Sequence, residues 1–312
     1  MVAPRSSVAN ASICHPRRDG FAKAIVERGF RVAEGTANFL LLFVGPDATR
    51  LCDFVGKRGV LVRDRSSVPA LRGMIRVTVG TEQENRAFVD CLDAFRQKQA
   101  LIFDLDGTLV DTTRSFDATV LELVYELTGS PVEPGDLSAL RGEGGYNDDW
   151  EASQELARRR GVEVQLERVA ERGKKLYLTR ARNVETQLQS SETLRRLAKR
   201  YRLFVLTGRS RDEYQPVWAD RLDPLFERVY CHDDLPGLRK KPAPDMLEEI
   251  LRRHQCLGGF YVGDMVDDVV AAKGAGLMTI AITGTVAREK LEILEPDIIV
   301  DDGHSVADVF GV

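Results

Sequence analysis

The spacing of hydrophobic and polar positions changes character near residue 98. Before that point, apolar positions at helical spacing through Phe21, Ile25 and Val26 predict a helix, and residues 38–44 predict a β run followed by a helix from Pro46. Further strands are expected at 60–63 and 74–79. Thr81 and Glu84 have the spacing of a capping box, and the helix they open puts Phe88, Val89, Leu92 and Phe95 on one face. A small α+β unit over residues 1–98 follows. No Pro-, Gly- or Ser-rich linker interrupts 96–99, so the two modules are expected to pack against each other.

From residue 100 onward the chain shows short apolar runs that end in acidic or hydroxyl residues and mostly lead into helices: 100–103, 203–206, 228–231, 260–262, 279–282 and 298–300. Uninterrupted apolar strands belong to parallel sheets covered on both faces, so the expected fold is α/β, a doubly wound parallel sheet spanning 99–111 and 201–312. Residues 112–200 read as helical throughout. Amphipathic stretches lie at 116–127, 150–159, 166–178 and 192–201, with turn signals at 129–134 and 142–145. This is a helical cap inserted after the first strand of the sheet.

Composition narrows the class. The chain has 312 residues, 43% hydrophobic and 29% charged, which excludes a disordered, collagenous or disulfide-stapled protein. Its net charge of −4 conceals an asymmetry: Lys and Arg outnumber Asp and Glu by 16 to 10 over residues 1–98 and trail them by 28 to 38 thereafter. An acidic second module suits a metal site better than a nucleic-acid surface. The five cysteines (Cys14, Cys52, Cys91, Cys231 and Cys256) are scattered and lack CxxC spacing, so reduced thiols in the cytoplasm are expected. The longest apolar run, residues 39–44, is too short to span a bilayer, and neither membrane nor nucleic acid is expected as a partner.

The densest chemistry is Phe103-Asp104-Leu105-Asp106-Gly107-Thr108-Leu109-Val110-Asp111. Asp104 and Asp106 stand two apart at a strand end, so their carboxylates project to one side while Gly107 lets the chain turn away. Three later strand ends complement them. Leu206-Thr207-Gly208-Arg209 offers a hydroxyl and backbone N–H groups before a helix capped by Ser210 and Glu213, a geometry suited to phosphate oxygens. Lys240-Lys241-Pro242 brings a cation to a helix start, and Gly263-Asp264-Met265-Val266-Asp267-Asp268 adds more carboxylates than a fold buries without a balancing cation. Together they predict a phosphoryl-transfer site. Asp111 is expected to cap the first cap helix, Asp267 to support its neighbours, and His15, His232, His254 and His304 to be structural.

The segments DLDGTLVD, LTGR, KKP and GDMVDD, in this order over residues 100 to about 305, resemble the four motifs of the haloacid dehalogenase (HAD) superfamily of phosphatases. The resemblance implies that Asp104 is the nucleophile forming an aspartyl phosphate and Asp106 the general acid and base. It implies that Thr207 and Lys241 hold the transferring phosphoryl, with Gly107, Gly208 and Arg209 lining the phosphate. Lys240 competes with Lys241 for the cation's role, the residue before the proline fitting the family better. It further implies Mg²⁺ bound by Asp104, Asp264, Asp268 and the backbone carbonyl of Asp106. The presence of Asp106 disfavours dehalogenation and leaves a phosphatase, with a phosphomutase as the alternative. A helical cap of this kind implies a small phosphorylated metabolite as substrate. Within the cap, the glycine-hinged segment 143–150 offers Tyr146 and Trp150 for substrate recognition, or serves as a connecting loop in which Asp148 or Asp149 caps a helix.

Gly35-Thr36-Ala37-Asn38-Phe39-Leu40-Leu41, Gly59-Val60-Leu61-Val62-Arg63 and Ile75-Arg76-Val77-Thr78-Val79-Gly80-Thr81 resemble the C-terminal small domain of histidinol-phosphate aminotransferase. The resemblance implies that Arg76 matches an arginine that binds the anionic end of a substrate. The lysine-bearing large domain of that family has no counterpart in this sequence, so no transaminase activity is expected. A homodimer or an aminotransferase partner remains open, and the pairing of modules suggests histidinol phosphate as the substrate, alongside a phosphoglycolate-phosphatase-like activity.

Overall fold

The computed structural model describes residues 8–146 and 148–312, with the backbone alone for 8–15; Asn147 and the side chains of Cys14 and His15 lie outside the described residues. The contacts form two units. One comprises the described residues through Gln97 with Arg195–Tyr201 and Ala307–Val312; the other comprises Lys98–Leu194 and Arg202–Val306.

The first unit begins with α1 (Val8–Glu27), then β1 (Arg31–Val32), β2 (Phe39–Phe43), α2 (Ala48–Gly56), β3 (Arg63–Asp64), β4 (Met74–Thr78) and α3 (Glu82–Arg96). Its antiparallel sheet has the order β1-β2-β4-β3. Alternation sends Leu40 and Leu42 of β2 and Ile75 and Val77 of β4 to one face, where they meet Phe21, Ile25, Leu51, Val55, Phe88, Leu92 and Phe95. The Thr81–Glu84 capping box is present, Thr81 N donating to Glu84 Oε2 at 2.7 Å and Glu84 N to Thr81 Oγ1 at 3.2 Å. The strand expected at 60–63 shrinks to Arg63–Asp64. Val60 N instead donates to Val55 O at 3.1 Å to close the turn after α2, and Val60 and Val62 pack on the core from the loop. The helix expected from Pro46 opens as a 3₁₀ turn, Gly45–Asp47, and β1 is too short to show a period in sequence.

The second unit carries β5 (Gln99–Phe103), β6 (Val110–Asp111), the helices α4 (Ala118–Thr128), α5 (Pro134–Arg141), α6 (Asp149–Arg159) and α7 (Leu166–Val184), and β7 (Thr186–Gln187). There follow α8 (Ser191–Leu197), whose residues from Arg195 on belong to the first unit, β8 (Arg202–Thr207), α9 (Arg211–Leu222), β9 (Arg228–Cys231), α10 (Asp245–Arg253), β10 (Gly258–Gly263), α11 (Val266–Gly274), β11 (Met278–Ile282), α12 (Arg288–Glu292), β12 (Ile298–Val300) and α13 (Ser305–Phe310), whose residues from Ala307 on belong to the first unit. Its six-stranded parallel sheet has the order β12-β11-β10-β5-β8-β9, with β5 central and every residue of it buried. The insert packs around Val120, Val124, Leu137, Leu140 and Leu156. Two of its features escape the periodicity: α5, which starts at Pro134 inside an expected turn, and the pairing of the insert's entering and leaving strands, Val110 opposite Gln187 and Asp111 opposite Thr186.

Candidate active site

Asp104, Asp106, Thr207 and Asp264 sit at or just beyond the C-terminal ends of the parallel strands, where backbone turns away and ligands bind in open α/β sheets, while Lys241 comes from the loop before α10 and Asp268 from α11. Asp104 continues β5, its N–H donating to Val262 O of β10 at 2.8 Å. Gly107 has φ +73°, and a Cβ there would lie 2.0 Å from Asp264 Oδ2, so only glycine lets this loop approach the β10 loop. Thr207 ends β8, Asp264 follows β10, and Asp268 lies in the first turn of α11, where its Oδ2 accepts from the N–H groups of Asp264 at 3.2 Å and Met265 at 3.0 Å.

Of the two adjacent lysines, Lys241 reaches the centre. Its Nζ donates to Asp104 Oδ1 at 2.5 Å, Asp268 Oδ1 at 2.6 Å and Tyr261 OH at 2.9 Å. Lys240 stays exposed and pairs with Asp148 Oδ2 at 2.9 Å. Asp104, Asp264 and Asp268 are buried, each offering an oxygen within 4.8 Å of the others. Burial pushes the Asp104 carboxyl well above the usual carboxylate range against the pull of Lys241, and burial and then the Asp268 charge push Asp264 up to about 7. Burial also works against the Lys241 ammonium, but Asp104 and Asp268 prevail and hold its pKa above the ordinary lysine value.

One ammonium among three buried carboxylates leaves excess negative charge, and Asp264 Oδ2 has no well-formed hydrogen bond. An all-oxygen donor set with this excess of charge, one of whose buried oxygens makes no close hydrogen bond among the described residues, fits a hard divalent cation such as Mg²⁺. The Asp106 carboxylate is outside this cluster.

Arg209 departs from its expected place on the phosphate. Its guanidinium is buried and committed to carboxylates: Nε lies 2.9 Å from Asp106 Oδ1, and Nη2 lies 2.5 Å from Asp106 Oδ1 and 3.1 Å from Glu185 Oε1. Buried Glu185 and half-buried Asp106, both within reach of one planar fork, capture it. Its backbone N–H donates to Thr207 Oγ1 at 3.0 Å.

A cavity of about 600 Å³ opens over the strand ends and is lined by Asp104, Asp106, Gly107, Gly208, Arg209 and Asp264, with Trp150 from the cap. Trp150 is fixed by its indole N–H, which donates to Glu213 Oε1 at 3.0 Å. Tyr146 is not among the lining residues; it is partly buried and packs on the apolar cluster of the cap. Asp148 caps α6, accepting from Trp150 N at 3.0 Å. Asp267 Oδ1 accepts from Gly145 N at 2.7 Å, joining the glycine segment to α11. Asp111 Oδ1 accepts from Thr113 N at 3.0 Å, but the N-cap of the helical turn Thr113–Asp117 is Thr112, so Asp111 stands one residue outside the cap position expected of it. His232, expected to be structural, lies on the cavity wall. Sequence reasoning missed Glu185 and Arg141, which belong to no motif; the only signal for Glu185 is its position where the chain leaves the insert.

Comparison with known proteins agrees with this geometry. The chain is 26% identical over 222 residues to phosphoglycolate phosphatase of Pectobacterium atrosepticum, covering 68% of this chain and 92% of that one. A solved structure, a predicted phosphoglycolate phosphatase from Haemophilus somnus, superposes with a TM-score of 0.58 at 22% identity, over 68% of this chain and 98% of the other, a likeness of fold. The N-terminal region is 34% identical over 88 residues to histidinol-phosphate aminotransferase of Vesicomyosocius okutanii; the match covers 28% of this chain, which spans only 25% of the length of that enzyme. Residues 101–282 match the haloacid dehalogenase-like hydrolases, more than half of the chain and all four motifs among them, and the chain therefore belongs to that family.

Proposed function

We propose that this hydrolase is a Mg²⁺-dependent phosphatase that transfers the phosphoryl group of a small phosphorylated metabolite to Asp104 and then hydrolyses the aspartyl phosphate. The observation that carries the reading is the convergence of a carboxylate nucleophile held by Lys241, a second carboxylate at Asp106 and a hydroxyl at Thr207 on one sheet edge. An Asp104 oxygen forms a bond to phosphorus while the ester P–O bond breaks. The bonding pair goes to the leaving oxygen, which takes a proton from Asp106. In the second step Asp106 accepts a proton from water, whose oxygen attacks phosphorus and releases Asp104. Lys241 and Thr207 stabilise charge on the transferring group. Mg²⁺ held by Asp104, Asp264, Asp268 and the Asp106 carbonyl would supply further positive charge to the phosphoryl oxygens.

Among substrates, we favour one whose leaving group is cationic. Away from the reacting centre the cavity is walled by Asp117, Asp149 and Glu151, with Arg141 shared between Asp117 at 2.8 Å and Asp149 at 2.6 Å, and by Lys174 and Lys240, each already paired with a carboxylate, Asp212 and Asp148. Glu151 is half-buried and has no ion-pair partner among the described residues. Such a wall repels the carboxylate of phosphoglycolate and attracts the amine of histidinol phosphate, and the aminotransferase-like first unit supports the same choice. The described cysteines, Cys52, Cys91, Cys231 and Cys256, are free thiols, in keeping with action in the cytoplasm.

The test is phosphate release with and without Mg²⁺ over histidinol phosphate, phosphoglycolate, hexose phosphates and nucleoside monophosphates, with Asp104→Asn as the blank. Mg²⁺-dependent release that favours histidinol phosphate supports the full reading. Preference for phosphoglycolate overturns the substrate assignment alone. Isomerisation of a hexose phosphate without phosphate release points to a mutase, and release undiminished in the blank refutes the mechanism.

A further inference from the structure

We infer that Glu185 and Arg209 are a positioning pair that fixes the orientation of the Asp106 carboxylate from the point where the chain leaves the cap. The inference rests on the reading of Asp106 as the group that protonates the leaving oxygen. Glu185 follows α7 and precedes β7, far in sequence from every motif, yet its side chain and that of Arg209 are each only 1% exposed.

The contacts make one rigid assembly. Glu185 is held on both oxygens: Ser115 Oγ donates to Oε1 at 2.6 Å and Trp218 Nε1 to Oε2 at 2.5 Å. It in turn holds the far edge of the Arg209 guanidinium, Nη2 at 3.1 Å and Nη1 at 3.2 Å, while Tyr177 OH accepts from Nη1 at 2.5 Å. The Phe116 ring, stacked on Tyr177, closes the face of the guanidinium at 4.8 Å. A planar fork gripped along one edge can present its other edge in one direction only. That edge meets Asp106, with Nε and Nη2 both on Oδ1 and Nε 3.2 Å from Oδ2. Oδ2, the less engaged oxygen, lies 3.5 Å from Thr207 Oγ1, on the side where the phosphoryl group is expected. Asp106 itself is 29% exposed at the side chain, so without the fork nothing so rigid defines which oxygen faces the substrate.

This role predicts a selective defect. When the P–O bond breaks, an alkoxide leaving group must receive the Asp106 proton, whereas p-nitrophenolate leaves as a stable anion without one. Because kcat/KM reports only the steps up to leaving-group departure, comparing the two substrates isolates this use of Asp106. In full-length protein with Mg²⁺, Glu185→Gln is expected to lower kcat/KM for an alkyl phosphate by about ten- to a hundredfold, part of the range typical of general acid catalysis, and for p-nitrophenyl phosphate by less than about threefold. Should that variant not fold, Tyr177→Phe carries the test. It keeps the ring on Phe116, loses one contact to Arg209 and is expected to show the same selectivity at about two- to fivefold. Equal losses on both substrates, or no loss on either, overturn the positioning role while leaving the phosphatase reading intact. A wild-type protein that hydrolyses neither ester refutes that reading and the inference with it.

Discussion

A buried cluster of the first unit and one of the second differ in how their charge balances. In the first, Asp47 and Arg200 are buried with their partners built in: Asp47 accepts from Tyr201 OH at 2.8 Å and pairs with Arg50 at 3.3 Å, and Arg200 donates to Val44 O at 2.7 Å and to Phe310 O. In the second, one ammonium, Lys241, is set among three carboxylates, so the charges do not balance; a buried atom without a hydrogen bond occurs in both places, Asp47 Oδ1 and Arg200 Nε in the first and Asp264 Oδ2 in the second. Buried charge that closes on itself maintains a fold, whereas buried charge left unbalanced at a sheet edge marks a place built for something else to bind.

The largest effect that could break this contrast is on turnover. Asp104→Asn keeps the shape of the side chain and removes the nucleophile, so phosphate release should fall by roughly a thousandfold or more while the melting temperature changes little; calorimetry beside a phosphate assay reads both. Next in size is the response to metal. Wild-type protein at a hundred times its dissociation constant for Mg²⁺ should gain about 2.7 kcal/mol of stability, and Asp264→Ala should lose most of that gain in thermal melts at graded Mg²⁺. In the first unit, Tyr201→Phe deprives buried Asp47 of its hydroxyl and should cost about 1–3 kcal/mol with kcat/KM unchanged within about twofold, seen by urea unfolding and the phosphate assay together. The smallest effect concerns thiols. Burial pushes Cys52 to about 11 and Cys231 to about 12, so iodoacetamide at neutral pH should leave turnover unaltered.

The sequence reveals the sheet because β5 and β8–β12 are apolar runs ending in chemistry, and parallel strands covered on both faces need little else to be recognised. Asp104, Thr207 and Asp264 are legible for the same reason, each at a strand end or in the turn beyond it, whereas Lys241 and Asp268, in the loop before α10 and in α11, are legible through the segments KKP and GDMVDD. What stays hidden depends on contacts across long separations. Arg209 looks like a phosphate ligand until Glu185, 24 residues before it, is found beside it. Tyr146 looks like a recognition residue until the cap's apolar cluster claims it, and the pairing of Val110 with Gln187 has no local signal at two residues per strand. Helix α5 begins at a proline that reads equally well as a turn, a choice decided by burial of Leu137 and Leu140.

The central claim is that Asp104 carries the phosphoryl group, and the most direct measurement is to quench the enzyme in acid during turnover of the substrate it prefers, reduce with borohydride and locate the modified residue by mass spectrometry. The account predicts reduction of residue 104 in wild-type protein, dependent on Mg²⁺ and absent from Asp104→Asn. Turnover with residue 104 never modified, or modification at another residue, would contradict it.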